Sequence, residues 1–154
     1  MIKYINGNLL DSECDIIAHQ VNLQGIMGGG LARQIAIKYP QCEKEYVDYM
    51  NHLNTDYKCA KEYVLGLALL HKYAKDKFIA NCFSQNMDFV TDYKAVRKCF
   101  TYLLECCKAY NLKTIGVPYK YGCGIASGDW NIVENIFKDI FGEIENVELQ
   151  IYKL

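Results

Sequence analysis

The 154-residue sequence contains only two prolines and no Ser/Gly-rich linker or low-complexity run. This composition argues against a disordered tail or an interdomain linker, because such segments are enriched in those residues. The longest apolar runs extend over only a few residues, so we expect no membrane-spanning segment. Residues Met1 to Gly7 lack the apolar core of a signal peptide. The expected location is therefore the cytoplasm.

Neither sign of charge is in excess, since 17 basic and 18 acidic residues give a formal net charge of −1. A balanced chain provides no electrostatic indication of duplex nucleic-acid binding, which depends on clustered Lys and Arg. The eight cysteines form no C-x-x-C pair and have no histidine nearby at ligand spacing. We therefore expect no metal site, no cofactor, and reduced thiols that act as small core residues.

Short β-type segments alternate with helical ones along the whole chain. This pattern predicts a single domain, residues 1–154, with a three-layer α/β/α architecture and a mixed sheet of about six strands. A charged turn at Lys72–Asp76 is expected between the third and fourth strands. The alternating pattern of the last strand predicts either one wetter face or a position near the sheet edge. The predicted strands are Met1–Ile5, Asp15–Gln20, Glu62–Leu70, Lys77–Cys82, Lys113–Val117 and Val147–Tyr152.

The helices are indicated by apolar residues that recur every three or four positions. One helix is expected to begin in the run of glycines at 28–30 and to end before Pro40. Pro40 suits the first position of the next helix. Asp92 and Asp129 precede two further apolar stripes, where each is expected to act as a helix N-cap.

Two glycine-rich loops follow predicted strands and precede helices: the first glycine loop, Val21–Gly30, and the second glycine loop, Pro118–Gly128. Ligand sites of α/β proteins lie at such carboxyl ends of strands. Glycine-rich backbone at a helix start exposes N–H groups that suit a phosphate or diphosphate. The glycine spacings match neither a Walker loop nor a dinucleotide fingerprint. Either loop alone could be a flexible turn, but together they predict a diphosphate held from two sides.

Four ordered motifs resemble the macrodomain family: Gly7–Leu10, His19–Ala32, Val117–Pro118 with Gly122–Gly124, and Ile151–Leu154. The resemblance is closest to the branch that holds the yeast ADP-ribose 1″-phosphate phosphatase and the terminal ADP-ribose protein glycohydrolase. It implies binding of ADP-ribose, as a small molecule or on a modified target. It further implies metal-free hydrolysis of a group on the distal ribose, with a 1″-phosphate ester as the leading substrate.

The resemblance also implies which residues contact the ligand. Asn8 and Leu9 would lie at the adenine, and Tyr152 would pack against its face. Gly28–Ala32 would wrap the distal ribose and the diphosphate, and Gly122–Ala126 would hold the phosphates through backbone N–H groups. The full set of ligand-binding residues expected in the two glycine loops and at the strand ends before them is Gln20, Val21, Asn22, Met27, Gly28, Gly29, Gly30, Leu31, Ala32, Pro118, Tyr119, Gly122, Cys123, Gly124, Ile125 and Ala126.

For catalysis, the resemblance implies His19 as the acid–base group, because its ordinary pKa suits proton transfer near neutrality. Asn22 would orient a ribose hydroxyl or a water. The candidate carboxylate partners of His19 are Asp88, Asp92 and Asp129, and Asp129 is included among the expected catalytic residues. The competing interpretations are a core histidine for His19 and a plain N-cap for Asp129.

Two residues used by glycohydrolase-type relatives are missing. No lysine occurs between Lys77 and Lys94, and Ala126 stands at the aspartate position of the second glycine loop. Cys123 lacks a neighbouring base in the sequence, which argues against a thiol nucleophile.

Three other functions therefore stay open at this point. The first is a non-catalytic reader of ADP-ribose. The second is an ADP-ribosyl hydrolase acting on modified protein or nucleic acid. The third is an α/β protein that binds another nucleotide.

Overall fold

The computed structural model describes residues 1–56 and 61–154, and Cys59 of the sequence lies outside them. Within these ranges, six strands form one sheet in the order β1-β6-β5-β2-β4-β3. β3 runs antiparallel to β4, whereas every other neighbouring pair is parallel. The predicted mixed sheet is confirmed. The strands are β1 Ile2–Asn6, β2 Ile16–Val21, β3 Ala68–Ala74, β4 Lys77–Phe83, β5 Thr114–Pro118 and β6 Glu148–Lys153.

Helices cover both faces of the sheet, so the three-layer prediction is also confirmed. Side chains of α1 and α2, among them Ile35 and Tyr46, form one buried cluster with the sheet. Side chains of α3 and α4, among them Phe100 and Phe137, form a second cluster on the opposite face. The helices are α1 Gly30–Lys38, α2 Pro40–Asp56, α3 Tyr93–Tyr110 and α4 Trp130–Phe141, with short 3-10 turns at Leu9–Asp11 and Lys61–Val64.

The two predicted aspartate caps are confirmed. The Asp92 side chain accepts a hydrogen bond from the backbone N–H of Ala95 at 2.9 Å. Asp129 accepts from the backbone N–H of Asn131, also at 2.9 Å. Each carboxylate satisfies an N–H group that the first helical turn leaves without a partner. Both helices therefore begin where a local sequence signal places them.

The predicted third strand, Glu62–Leu70, is wrong in its first half. Residues Lys61–Val64 form a 3-10 turn, and β3 begins only at Ala68 and continues to Ala74. Gly66 has a φ of +92°, a left-handed backbone that interrupts an extended strand. Lys72 consequently lies within β3 and pairs with Phe78. The turn to β4 is shorter than predicted and contains only Lys75 and Asp76.

The last strand is not at an edge. β6 lies between β1 and β5, while β1 and β3 form the two edges. Its alternating pattern reflects one drier and one wetter face, because Leu149 and Ile151 are buried whereas Glu148 and Gln150 are half-buried. In the described residues, no helix is long and apolar enough to cross a membrane.

Candidate functional site

A cleft of about 490 Å³ opens at the carboxyl ends of β2 and β5, between the two glycine loops. Parallel strands with helices on both faces place a binding site at this edge. A larger groove of about 1130 Å³ lies between α3 and the start of β3, and none of the predicted site residues lines it. The cleft is lined by His19, Gln20, Val21, Asn22, Ile26, Gly28, Gly29, Gly30, Leu31, Ala32, Gln85, Phe89, Pro118, Tyr119, Lys120, Tyr121, Gly122, Gly124, Ile125 and Ala126.

The first glycine loop is anchored by Asn22. Its side-chain oxygen accepts hydrogen bonds from the Gln24 N–H at 2.9 Å and from the Tyr46 hydroxyl at 2.7 Å. Its amide donates to the carbonyl of Ile26 at 2.8 Å. These bonds give the loop a defined course although its glycines are exposed. In this structure Asn22 therefore shapes the loop, and its predicted contact with a ribose hydroxyl or water stays a prediction.

The end of this loop leaves room for a ligand. A Cβ at Gly29 or Gly30 would meet no heavy atom within 4 Å. Gly29 stands at the N-cap of α1 but contributes no side-chain hydrogen bond. The first N–H groups of α1 therefore have no capping side chain, and such groups bind anions readily.

The second glycine loop is packed more tightly. The Thr91 hydroxyl donates to the carbonyl of Gly122 at 2.6 Å, and the Gly128 N–H donates to the same carbonyl at 2.9 Å. Gly122 has a φ of +71°, and a Cβ there would lie 2.8 Å from the Thr91 side chain. Gly124 differs, because a Cβ on it would meet nothing within 4 Å. The loop thus exposes its tip to the cleft on a rigid base.

His19 lies at the floor of the cleft and is almost fully buried, with 1% of its surface exposed. Its Nε2 lies 2.5 Å from the Asn81 side-chain oxygen on β4. Burial lowers the pKa of His19 to about 4, although the Asn81 hydrogen bond acts in the opposite direction. The ring is therefore neutral at neutral pH. Its Nδ1 is buried and has no hydrogen-bond partner among the described residues.

The predicted carboxylate partner of His19 is replaced by an amide. Asn81 occupies the position beside Nε2, because His19 of β2 and Asn81 of β4 are paired in register. Asp92 and Asp129 bind the first turns of α3 and α4 instead. Asp88 is exposed, and neither it nor Asp129 lines the cleft.

Most predicted ligand-binding residues lie together in the cleft, but five do not line it. Asn8 and Tyr152 line a separate depression of about 530 Å³ beside β6. Leu9 and Met27 are buried in the hydrophobic core, because both face the cluster that α1 and α2 cover. Cys123 donates its thiol to the carbonyl of Tyr121 at 3.2 Å. Burial raises the pKa of this thiol, and the charge of Asp129 adds to the effect, which disfavours a thiolate nucleophile.

The structure adds five residues to the cleft that the sequence did not reveal. Gln85 donates to the Gln20 side chain at 2.9 Å. Phe89 is a 40% exposed aromatic residue in a left-handed backbone with a φ of +62°. The polar turn Asn86–Asp88 before Phe89 is the one local signal that could have indicated a loop there. The added residues are Ile26, Gln85, Phe89, Lys120 and Tyr121.

Residues 18–137 match the family model described as Macro domain. This match covers more than half of the chain, so the protein belongs to the macro domain family. The fold and the position of the cleft agree with the resemblance noted in the sequence.

The chain is similar to several curated relatives named ADP-ribose 1″-phosphate phosphatase, among them the following two. The protein from Saccharomyces cerevisiae (strain YJM789) is 45% identical over 49 residues, which cover 30% of this chain and 28% of the relative. The chain thus spans less than a third of that relative in the match. The protein from Scheffersomyces stipitis is 26% identical over a 181-residue alignment that covers 99% of both chains.

Among solved structures, the chain is similar to one described as Thermosipho africanus DarTG in complex with ADP-ribose. The TM-score is 0.78 with 21% sequence identity, over 97% of this chain and 41% of the other. At this identity the similarity shows the fold.

Proposed function

We propose that the protein binds ADP-ribose in the cleft and hydrolyses a substituent on its distal ribose, with a 1″-phosphate ester as the leading substrate. The observation that carries the proposal is the pair of glycine loops facing one cleft of about 490 Å³. This volume suits a small-molecule ligand. The names of the yeast-type relatives, and the ADP-ribose complex of Thermosipho africanus DarTG, part of which has the same fold, support the choice of ligand.

Recognition of the diphosphate uses backbone groups. The uncapped start of α1 presents N–H groups to an anion, and Gly29 and Gly30 allow close approach. Across the cleft, Gly124 offers the same freedom on the rigid base formed by Gly122 and Gly128. The only charged side chain among the described lining residues is that of Lys120. The site therefore relies on aligned peptide dipoles more than on side-chain charge.

His19 is the proposed proton-transfer group. Before the reaction the His19 ring is neutral, so it can accept a proton and acts as a base. Nε2 is engaged by Asn81, which leaves Nδ1 as the accepting atom. Because Nδ1 is buried, ligand binding must first open a path to it.

The direct test is release of inorganic phosphate from ADP-ribose 1″-phosphate by the purified protein. We expect phosphate release by the wild type and its loss in His19→Gln, which keeps a polar side chain of similar reach. ADP-ribose affinity, measured by calorimetry on the same two proteins, is the control for the integrity of the cleft. Tight ADP-ribose binding without any phosphate release by the wild type would overturn the proposal that the protein hydrolyses this ester.

The second candidate function is an ADP-ribose reader without turnover. It is favoured by the 1% exposure of His19 and by the buried Ala126, which stands in the second glycine loop where glycohydrolase-type relatives have an aspartate. In a reader, His19→Gln would change neither ADP-ribose affinity nor any turnover. An ADP-ribosyl hydrolase acting on a modified macromolecule would instead release ADP-ribose from such a target, and the same variant would abolish this release.

A further inference from the structure

Two lysines converge on one tyrosine at the β6 side of the cleft. The Nζ of Lys153 lies 4.8 Å from the ring centre of Tyr119, and the Nζ of Lys120 lies 5.7 Å from it. Tyr119 is held from behind by Trp130, with 5.2 Å between the ring centres. An aromatic face attracts ammonium groups at such distances. Two positive charges from different strand ends therefore lie beside one ring.

These two charges have no counter-ion in the described part of the chain. Within residues 1–56 and 61–154, neither Lys120 nor Lys153 forms an ion pair, whereas Lys77 and Lys138 each pair with a carboxylate. Gathering like charges on one ring raises the free energy of the folded protein, and an anion would reverse this effect. The protein has a net charge of only −1, so the concentration of positive charge is a local feature.

The backbone at Lys120 adds a second, independent observation. Its φ is +59°, in the left-handed region that a lysine adopts at a cost of roughly 1–2 kcal/mol. Strained residues of this kind cluster at ligand sites, where the surrounding structure maintains them. Lys120 lines the cleft, and Lys153 follows Tyr152, which is paired in register with Pro118. Lys120 thus lies in the lining of the cleft, and Lys153 lies outside that lining, one residue beyond the partner of Pro118 on β6.

We propose that Lys120 and Lys153, positioned on Tyr119, bind a phosphate group of the ligand at the β6 end of the cleft. The chemical class of the ligand is a nucleotide whose phosphate is contacted by side-chain ammonium groups in addition to the backbone N–H groups of the glycine loops. The phosphate belongs either to the diphosphate of ADP-ribose or to a further phosphate ester on the adenosine side. The identity of the nucleotide rests on the proposed function, whereas the anion site does not.

Lysine-to-methionine variants test the site, because methionine keeps much of the apolar stem and removes the charge. Calorimetry would compare wild type, Lys120→Met, Lys153→Met and the double variant with ADP-ribose, 2′-phospho-ADP-ribose and inorganic pyrophosphate. Lys113→Met is the matched control, since Lys113 is an exposed lysine just before the opposite end of β5. The titrations are repeated at two salt concentrations.

We expect Lys120→Met and Lys153→Met each to weaken binding about three- to fivefold, the range for an exposed charge pair, and to reduce the salt dependence of binding. Lys113→Met should bind like the wild type. If ADP-ribose and 2′-phospho-ADP-ribose lose affinity equally, the phosphate that the lysines bind belongs to the diphosphate. If only 2′-phospho-ADP-ribose loses affinity, the phosphate that the lysines bind is the 2′-phosphate ester.

Unchanged affinities in both single variants and in the double variant overturn the anion site, even if ADP-ribose binds tightly. If the wild type binds pyrophosphate in a lysine-dependent manner but does not bind ADP-ribose, the anion site stands and the proposed function fails. If the wild type binds none of the three ligands, both are wrong. An equal loss in Lys113→Met also contradicts the proposal, because it indicates a general charge effect.

Discussion

In the first glycine loop, a side-chain methyl group at Gly29 or Gly30 would meet open space. In the second glycine loop, a methyl group at Gly128 would lie 2.5 Å from the carbonyl oxygen of Gly122, and Gly122 itself has a φ of +71°. The first loop contains four glycines and the second contains three. In the first loop, Gly25 and Gly30 have positive φ values of +76° and +55°, whereas close packing of the backbone requires glycine only in the second. Gly124, at the tip of the second loop, resembles Gly29, because a Cβ on either residue would meet no heavy atom within 4 Å.

This contrast separates two reasons for a glycine. At Gly122 and Gly128 the reason is close packing of the backbone, which the unliganded fold already needs. At Gly29 and Gly124 the unliganded protein provides no reason, so the free space is available to a ligand. Substitutions at Gly122 or Gly128 should therefore lower the stability of the fold, whereas substitutions at Gly29 or Gly124 should weaken ligand binding.

The largest expected effect is the loss of stability in Gly128→Ala. The added methyl group would lie 2.5 Å from a backbone oxygen that is fixed by hydrogen bonds from Thr91 and Gly128. Since backbone atoms cannot move aside cheaply, we expect a loss of about 3 kcal/mol in the free energy of unfolding. Urea unfolding of the wild type and Gly128→Ala measures this difference in unfolding free energy. A loss below about 0.5 kcal/mol would show that the base of the second loop is not rigid.

A second large effect is expected from His19, the buried residue beneath the start of the first loop. Its folded-state pKa is about 4, against an ordinary value of 6.5, so the unfolded chain binds the proton more tightly. The stability contribution is therefore fully present above about pH 6.5 and is lost as the pH falls toward 4. The loss attributable to this group is up to about 3 kcal/mol.

Urea unfolding of wild type and His19→Gln at pH 7 and pH 4.5 isolates this contribution from that of the carboxylates. The wild type should lose more stability on acidification than the variant does. Parallel losses in the two proteins would mean that His19 titrates near its ordinary pKa, and that it is therefore more exposed to solvent than the structure shows.

An effect on binding without an effect on folding is expected at Gly29. In Gly29→Asp the new carboxylate can accept hydrogen bonds from the first turn of α1, so the melting temperature should stay the same or rise. The same carboxylate would occupy and repel the position of a phosphate. We expect ADP-ribose affinity to fall at least about tenfold, or ~1.4 kcal/mol. Gly29→Asn, measured in the same way, separates the charge from the size of the side chain.

The smallest effect is expected at Asn22, which ties the first loop to α2. Asn22→Ala removes acceptors for the Gln24 N–H and the Tyr46 hydroxyl, although Tyr46 keeps the Asn22 carbonyl at 2.7 Å. We expect a loss of about 1 kcal/mol in unfolding free energy. Asn22→Asp, which keeps the acceptor oxygen, should lose less. Equal losses in the two variants would assign the effect to the hydrogen bond that the Asn22 side-chain amide donates to the Ile26 carbonyl.

Features that depend on local chemistry were predictable from the sequence. The caps at Asp92 and Asp129 and the helix start in the glycine run follow from neighbouring residues, and the structure has all of them. The start of β3 was not predictable from apolar content alone, because the left-handed Gly66 interrupts the pattern.

Within the site, the glycine loops were predictable because a strand, a glycine run and a helix follow one another in sequence. The partner of His19 was not, since Asn81 reaches it only through the register of β2 and β4, 62 residues apart. The convergence of Lys120 and Lys153 on Tyr119 also joins distant parts of the chain. No local pattern of residues marks either arrangement.

The most direct test of the central claim is calorimetric titration of ADP-ribose into the wild type and Gly124→Val, with the melting temperature of both proteins measured alongside. We expect saturable binding by the wild type, at least about tenfold weaker binding by the variant, and equal melting temperatures. The reason is that Gly124 lines the cleft and a Cβ on it would meet no heavy atom within 4 Å. Equal affinities in the two proteins, or no binding by the wild type, would contradict the claim that ADP-ribose lies between the two glycine loops.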